Sequence, residues 1–202
     1  WPKYFSELLN YIDYTGQFSN AIALPIIVTP KYDGCSFEAV VNDNGEIVSI
    51  SSRGDGEFGK DLSKHLTHLV SKSAKEIYNQ IPTGLVLRGE VLVDRVTFGA
   101  KYQNFVNPRS FVSGILNRDY CNDADFRDML NDLCVVIYDV RTKVDDNWLD
   151  IDWVWLNYET KPGYHEVISL FPEDFEDLYK RFDDFRQNCE FALDGFVIKP
   201  QE

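Results

Sequence analysis

Short apolar segments separated by turn signals constrain the fold of this chain more than any other feature. Residues 23–29 form an apolar, β-branched run, which predicts a buried strand. The segments 35–42 and 46–52 flank an Asp-Asn-Gly sequence at 43–45, and this arrangement predicts a β-hairpin. Later apolar runs predict three further strands, at 85–93, 132–141 and 196–199.

Helical periodicity occurs around and between these strands. It predicts helices over 4–13, 60–71 and 172–188, and Pro108 is placed to open a short helix that runs toward Leu116. Hairpin-connected strands with helices between them predict an α+β fold of mainly antiparallel sheets with flanking helices. The sequence has no regular strand–helix–strand series and no glycine-rich phosphate loop, which argues against Rossmann and P-loop folds.

Charge and cysteine usage limit the class of protein. The 202 residues include 33 acidic and 20 basic side chains, a net charge of −13, so nucleic acid would have to be bound by a local basic patch. No apolar run approaches the ~20 residues of a membrane span, so we expect no membrane association. The four cysteines form no CxxC pair, which disfavours a zinc site and predicts reduced thiols in an intracellular, cytoplasmic protein.

A lysine followed by an acid and a glycine ends the first predicted strand. In Lys31-Tyr32-Asp33-Gly34, partial burial would lower the pKa of the Lys31 ammonium and leave a nucleophilic amine. An exposed lysine before an ordinary turn explains the same residues. The segment alone does not decide between the two.

Two other segments place arginines beside glycines or within a strand. Arg53 opens a glycine-rich segment, 53–59, whose backbone can approach a ligand and whose guanidinium can bind a phosphate. An ordinary strand-to-helix loop explains it equally well.

Arg88 and Glu90 interrupt the strand predicted at 85–93, where buried charges must be paired or must hold a ligand. The alternative is an edge strand with exposed charges.

Two more motifs complete a set of five. An Asn-Pro-Arg-Ser sequence lies at 107–110, and Leu-Asp-Gly-Phe-Val-Ile-Lys at 193–199 reverses the order of the first motif. In their order and approximate spacing, the five segments resemble the adenylation (nucleotidyltransferase) domain of NAD-dependent DNA ligases. The resemblance covers about residues 25–199. The glycine-rich and Asn-Pro-Arg segments favour the NAD-dependent branch over the ATP-dependent one.

The resemblance implies a covalent mechanism. Lys31 would attack the α-phosphorus of NAD, release nicotinamide mononucleotide and form lysyl-AMP, and the AMP would pass to the 5′-phosphate of a DNA nick for sealing. Lys199 and the arginines would offset charge on the phosphoryl oxygens. Asp33 and Asp194 would orient the nucleophile or hold Mg²⁺. Glu90 would contact ribose hydroxyls or the metal.

The resemblance also assigns the candidate residues to three sets. The catalytic set is Lys31, Asp33, Glu90, Asp194 and Lys199. The NAD-binding set is Thr29, Lys31, Arg53, Glu90, Arg109, Arg186 and Lys199. The Mg²⁺ ligands are Asp33, Glu90 and Asp194. The departures from the family pattern are Thr29 for an adenine-reading glutamate, Lys60 for a glutamate, and Asn117 for an arginine, with Arg118 one residue later.

The expected domain organisation is a single nucleotidyltransferase domain over 1–202. It would have a helical lead-in over 1–22, and a last lysine-bearing strand would be missing beyond the C-terminus. Such a piece would bind nicked double-stranded DNA weakly on its own, and the missing ligase modules would lie on the same chain or on a partner subunit. The short approach to Lys31 favours a compact viral, phage or split-gene ligase, located in the host cytoplasm if it is viral or phage.

Two alternatives stay open. An ATP-dependent polynucleotide ligase, or a related nucleotidyltransferase, would use the same Lys31, Glu90 and Lys199 with pyrophosphate as leaving group. A catalytically silent, ligase-like binding subunit belongs to another class. An AMP adduct formed with NAD, with ATP or with neither separates the three.

Overall fold

The computed structural model describes residues 25–53, 59–144, 147–151, 166–169 and 175–200. The helix predicted over 4–13 and the lead-in over 1–22 lie outside these residues. The described strands are β1 (Pro25–Tyr32), β2 (Cys35–Val41), β3 (Ile47–Ser52), β4 (Leu85–Leu92), β5 (Cys134–Val144), β6 (Asn147–Ile151), β7 (Glu166–Ser169) and β8 (Leu193–Pro200). Every described strand pair is antiparallel.

The strands form two sheets, and helices connect or flank them. One sheet has the order β7-β1-β8 and the other the order β3-β2-β4-β5-β6. The described helices are α1 (Ser63–Gln80), α2 (Arg95–Lys101), α3 (Pro108–Leu116), α4 (Ala124–Asn131) and α5 (Phe175–Asn188). The predicted α+β fold of mainly antiparallel sheets is confirmed. Among the described residues, no helix has the length and apolar character to cross a bilayer.

Local sequence signals explain where the hairpin and α3 begin. In the turn between β2 and β3, Gly45 has a φ of 80°, a left-handed value that glycine adopts without a steric penalty. At the start of α3, the Asn107 side chain accepts a hydrogen bond from the backbone of Ser110, and the Ser110 hydroxyl accepts one from the backbone of Asn107. This capping box, with Pro108 as the first helical residue, produces the predicted helix with its predicted bounds.

Other elements differ from the predictions. The helix predicted over 60–71 begins later, at Ser63, because Asp61 forms an isolated bridge with Ser51. It also extends to Gln80, since Ile77 continues its buried side. Sequence periodicity missed four short elements: α2, α4, β6 and β7. Elements of four to eight residues contain too few periods to show a pattern.

One face of the five-stranded sheet carries the main core. Alternate residues of β2 and β4 point toward it, and the apolar sides of α1 and α3 cover it. The buried side chains there include Phe37, Ala39, Leu66, Val70, Leu87, Val91, Phe111 and Ile115. Phe111 of α3 also stacks on Tyr102, with ring centroids 3.8 Å apart. The helix that begins with the Asn-Pro-Arg motif is thus held against the sheet.

The opposite face of this sheet carries charged side chains. Arg88 on β4 lies between Glu38 of β2, with Nε 2.9 Å from Oε2, and Asp139 of β5, with Nη1 3.6 Å from Oδ2. β4 is the central strand of five, so the edge-strand alternative for Arg88 and Glu90 is wrong. The Arg88 charge is paired with acids from both neighbouring strands.

The end of β1 lies beside the end of β4. Leu92 is buried together with Phe191, and Tyr32 packs edge-on against Phe191 with ring centroids 6.0 Å apart. The backbone N–H of Asp33 donates to the carbonyl of Ala192 at 3.0 Å. These contacts bring the first, third and fifth sequence motifs into one region.

Candidate active site

Lys31 and Asp194 meet across two paired strands. In the β1–β8 pair Lys31 lies opposite Gly195, and the register shifts between Lys31 and Tyr32. At this irregularity, Lys31 Nζ donates a hydrogen bond to Asp194 Oδ2 at 2.5 Å. The hydrogen bond and the positive charge of Lys31 lower the pKa of Asp194. Residues 163 positions apart thus form one ion pair.

The Lys31 side chain is not buried. It is 56% exposed, and its partner Asp194 is 54% exposed. Of the two interpretations that the sequence left open, partial burial of this amine is wrong, and an exposed lysine at the strand end is what the structure shows. Strand pairing satisfies the backbone of β1 but leaves the lysine head group at the surface, where a carboxylate orients it.

Asp33 connects the end of β1 to α3. Its Oδ1 is 3.3 Å from Nη1 of Arg109, in the first turn of that helix. The capping box holds this turn in place, and so places the guanidinium beside β1. A guanidinium has five N–H donors, so one contact with Asp33 leaves capacity for a phosphate.

Glu90 is a largely buried carboxyl at the site. Burial raises its pKa to about 7, although nearby Arg109 and a hydrogen bond from the Gly34 backbone act in the opposite direction. On the neighbouring strand β2, Ser36 lies opposite Glu90. Near neutral pH the side chain is present in both protonation states, so it can accept or donate a hydrogen bond to a hydroxyl.

Replacing Glu90 with glutamine should change the pH dependence of stability. The folded-state pKa near 7 lies above the ordinary value of 4.5, so the folded protein binds more protons between these values. Wild type should therefore lose stability as the pH rises through this window, by roughly 3 kcal/mol in total. The Glu90→Gln variant should not show this loss. Denaturant unfolding across the window measures it, and parallel profiles for the two proteins would contradict the assignment.

Gly34 allows β1 to turn directly against β4. A Cβ at Gly34 would lie 2.2 Å from the carbonyl oxygen of Val91 and 2.6 Å from Cδ2 of Leu92. Gly34→Ala should destabilise the fold by more than about 2 kcal/mol, because backbone has to move. Gly99→Ala is the control: it lies within α2, an added Cβ would meet no atom within 4 Å apart from its own stretch of helix, and the variant should be more stable by about 0.5–1 kcal/mol. Equal unfolding free energies for the two variants would refute this account.

A cleft of about 290 Å³ opens beside Glu90. Its charged lining residues are Arg53, Lys60, Glu90 and Arg109. Three cations face one carboxyl, and because the pKa of that carboxyl is raised, it carries less than a full negative charge near neutral pH. The cleft is therefore locally positive, although the chain as a whole has a net charge of −13. Such a cleft suits an anion with phosphate groups.

The cleft also contains residues outside the three predicted sets. Cys35 follows Gly34, and a hydrogen bond links its thiol to the Ser113 side chain, while burial raises the pKa of the thiol. The sequence signals that could have identified these two residues are weak: Cys35 adjoins the first motif, and Ser113 lies one helical turn after Arg109. Asn117 lines the cleft too, whereas Arg118 lines a separate depression.

Other predicted residues lie elsewhere. Thr29 is buried on β1, opposite Val197, and is not among the cleft residues. Arg186 is in the last turn of α5, where its carbonyl accepts a hydrogen bond from Arg95 at 3.3 Å. Lys199 pairs through its backbone register with Ile27 on β1, and its side chain lies outside the described positions.

The three predicted Mg²⁺ ligands do not form a metal-binding group. Within the described ranges, no three His, Cys, Asp or Glu side chains are grouped so as to hold a metal ion. Asp33 is paired with Arg109, Asp194 is paired with Lys31, and burial favours the neutral form of Glu90. This donor set does not fit a direct three-carboxylate site. Mg²⁺ as a cofactor stays a prediction.

The fold and the site together define an α+β domain with a lysine–carboxylate pair near a locally positive cleft. Residues 5–202 match the family model of the NAD-dependent DNA ligase adenylation domain. The chain belongs to this family. The resemblance inferred from the five motifs, including its NAD-dependent branch, is confirmed.

The similar proteins are DNA ligases by name. A candidate DNA ligase of Invertebrate iridescent virus 6, protein 205R, is 36% identical over 179 residues, 85% of this chain and 27% of the viral protein. The DNA ligase of Neorickettsia sennetsu is 37% identical over 113 residues, 55% of this chain and 16% of its own length. The DNA ligase of Ehrlichia canis is 26% identical over 204 residues, 98% of this chain and 28% of its own length. The chain therefore spans less than a third of these relatives.

Proposed function

We propose that this chain is the adenylation core of an NAD-dependent DNA ligase and that Lys31 carries AMP covalently. The Lys31–Asp194 hydrogen bond at 2.5 Å is the observation that carries the proposal. It combines a surface amine, which a substrate can reach, with a carboxylate that orients it. The family assignment supplies the substrate class, NAD.

The first step is nucleophilic substitution at phosphorus. Lys31 Nζ must first lose one proton to solvent, which leaves a neutral amine held by Asp194, and the nitrogen releases a second proton to solvent once its bond to phosphorus has formed. The nitrogen lone pair then forms a bond to the α-phosphorus of NAD, and the bond from that phosphorus to the oxygen of nicotinamide mononucleotide breaks. The products are lysyl-AMP and nicotinamide mononucleotide. In the second step the AMP passes to the 5′-phosphate of a nick.

The surrounding side chains would act by charge and position. Arg53, Lys60 and Arg109 line the cleft as cations and would offset negative charge on the phosphoryl oxygens. Glu90, with its pKa near 7, would bind a ribose hydroxyl as donor or acceptor. Asp33 would hold Arg109 in position through their 3.3 Å contact.

Three roles in the proposal depend on the family resemblance alone. They are the contacts of Thr29 with adenine and of Lys199 and Arg186 with the nucleotide phosphates. No step is assigned to Mg²⁺, because the donor set does not fit direct ligation by the three carboxylates. Nicked double-stranded DNA is the proposed second substrate. The remaining ligase modules would supply most of its binding, on the same chain or a partner subunit, since the present residues carry a net charge of −13.

Intact-mass measurement tests the first step. The full natural chain that carries residues 1–202 is mixed with Mg²⁺ and either NAD or ATP. We expect an AMP adduct with NAD and none with ATP. An adduct with ATP alone would support the ATP-dependent alternative, and no adduct with either would support the silent binding subunit.

A further inference from the structure

A buried histidine on α1 supports the end of α3. His65 is only 3% exposed, and its Nε2 lies 3.1 Å from the carbonyl oxygen of Arg118. Its ring packs edge-on against Tyr120 and Phe126, with centroid distances of 5.7 and 5.9 Å. Its other ring nitrogen, Nδ1, is buried and has no hydrogen-bond partner, and it is the one buried side-chain polar atom of which this is true among the described residues. Buried polar groups are normally hydrogen-bonded, so an imidazole that is buried with only one of its two ring nitrogens bonded calls for an explanation other than packing.

The hydrogen bond determines the state of the ring. A carbonyl oxygen only accepts, so Nε2 carries the proton and donates it, and Nδ1 is an unprotonated acceptor. Burial lowers the pKa of His65 and outweighs the hydrogen bond to the Arg118 carbonyl, which raises it; the nearby Lys60 ammonium acts in the same direction as burial, while Asp61 and Asp119 act against it. The neutral ring with the proton on Nε2 is therefore the form that fits this position.

Three segments meet at the Arg118 carbonyl. Besides His65 from α1, the Lys60 Nζ donates to the same oxygen at 3.3 Å. Arg118 directly follows Asn117, the C-terminal cap of α3, and both Asn117 and Lys60 line the cleft. The carbonyl thus links the residue after the glycine-rich segment to the C-terminal end of the helix that carries Arg109.

We propose that His65 is a positioning residue for the nucleotide cleft. Its Nε2–H holds the Arg118 carbonyl and, through it, the placement of Asn117 and Lys60 along the cleft wall. The inference rests on the proposed function, because it assigns this wall to nucleotide binding. His65 does not touch Lys31 or Asp194, so it should affect the affinity for NAD more than the rate of the chemical step.

The kinetic test uses two variants of His65 and one matched control, in the full natural chain. His65→Leu removes the N–H donor and puts an apolar side chain in its place, whereas His65→Gln retains an N–H donor. His68→Leu is the matched control, because it removes the other imidazole of α1. Adenylation of Lys31 is followed by intact mass at several NAD concentrations. His65→Leu should raise the NAD concentration for half-maximal rate about tenfold, the value of one hydrogen bond, with little change at saturation. His65→Gln should restore most of the affinity, and His68→Leu should match wild type.

A merely structural role gives a different result. If His65→Leu only reduces the fraction of folded protein, the adduct yield falls at every NAD concentration without a shift in half-saturation. That outcome, or failure of His65→Gln to restore affinity while folded, would overturn the inference.

Hydrogen exchange separates this inference from the proposed function. The amides of Asn117 and Arg118 donate to the carbonyls of Ser113 and Ile115, at 3.0 and 3.2 Å, so their exchange reports on the end of α3. His65→Leu should accelerate their exchange about tenfold, since one supporting hydrogen bond is lost, while His68→Leu should not. Unchanged exchange would refute the positioning role even if wild type forms no adduct with NAD. Absence of that adduct alone would refute only the proposed function.

Discussion

Replacing Lys31 with alanine should abolish covalent attachment of AMP. The variant lacks the nitrogen that attacks phosphorus, which is the amine that Asp194 holds in place. Lys31→Arg should fail equally, because a guanidinium stays protonated at any working pH and has no free lone pair. Intact mass after incubation with NAD and Mg²⁺ measures the adduct in the full natural chain.

The control for this prediction is Lys64→Ala. Lys64 is an exposed lysine of α1 that lines a separate depression, away from the cleft. This variant should form the adduct as wild type does. An adduct that persists in Lys31→Ala or Lys31→Arg would place the nucleophile elsewhere and remove the basis of the proposed mechanism.

The Asp194→Asn variant should lose activity but little stability. The amide keeps the shape of the side chain and loses the charge that orients the Lys31 ammonium at 2.5 Å. Adenylation should fall about 100-fold, a loss typical for removing one positioning or electrostatic group from an active site. Both partners are more than half exposed, so the unfolding free energy should change by less than about 1 kcal/mol.

A second surface ion pair supplies the matched control. Glu38→Gln breaks the contact with Arg88 on the charged face of the five-stranded sheet, where the two side chains are 41% and 38% exposed. It should cause a similarly small loss of stability and no loss of adenylation. If Asp194→Asn instead unfolds the protein, or keeps full activity, the pair has a structural role and the proposed role of Asp194 is wrong.

Local signals in the sequence determined much of the fold. The glycine at position 45, with its positive φ, terminates one strand of the hairpin and starts the next whatever packs around it. Pro108 and the Asn107–Ser110 capping box define the start of α3 through hydrogen bonds within four residues. Such short-range interactions are encoded in neighbouring residues, so these elements were predictable.

The order of the five motifs also identified the family from the sequence. The motifs alone make both Lys31 and Asp194 candidates for the site. Their pairing, however, depends on β1 and β8 being neighbours with a register shift at Lys31, and strand order is a property of the assembled sheets. The exposure of Lys31, which the sequence left open, follows from the same placement.

Long-range packing alone decided the character of the cleft and its supports. The raised pKa of Glu90 depends on how deeply β4 is covered, and the ion pair of Asp33 with Arg109 depends on where α3 rests on the sheet. In the sequence His65 is indistinguishable from an ordinary residue of α1, and only the fold places the carbonyl of Arg118 against it. Residue type and spacing therefore determined which groups are available for chemistry. Only the tertiary structure decided which of them meet, because burial, charge pairing and hydrogen bonding arise between segments far apart in the chain.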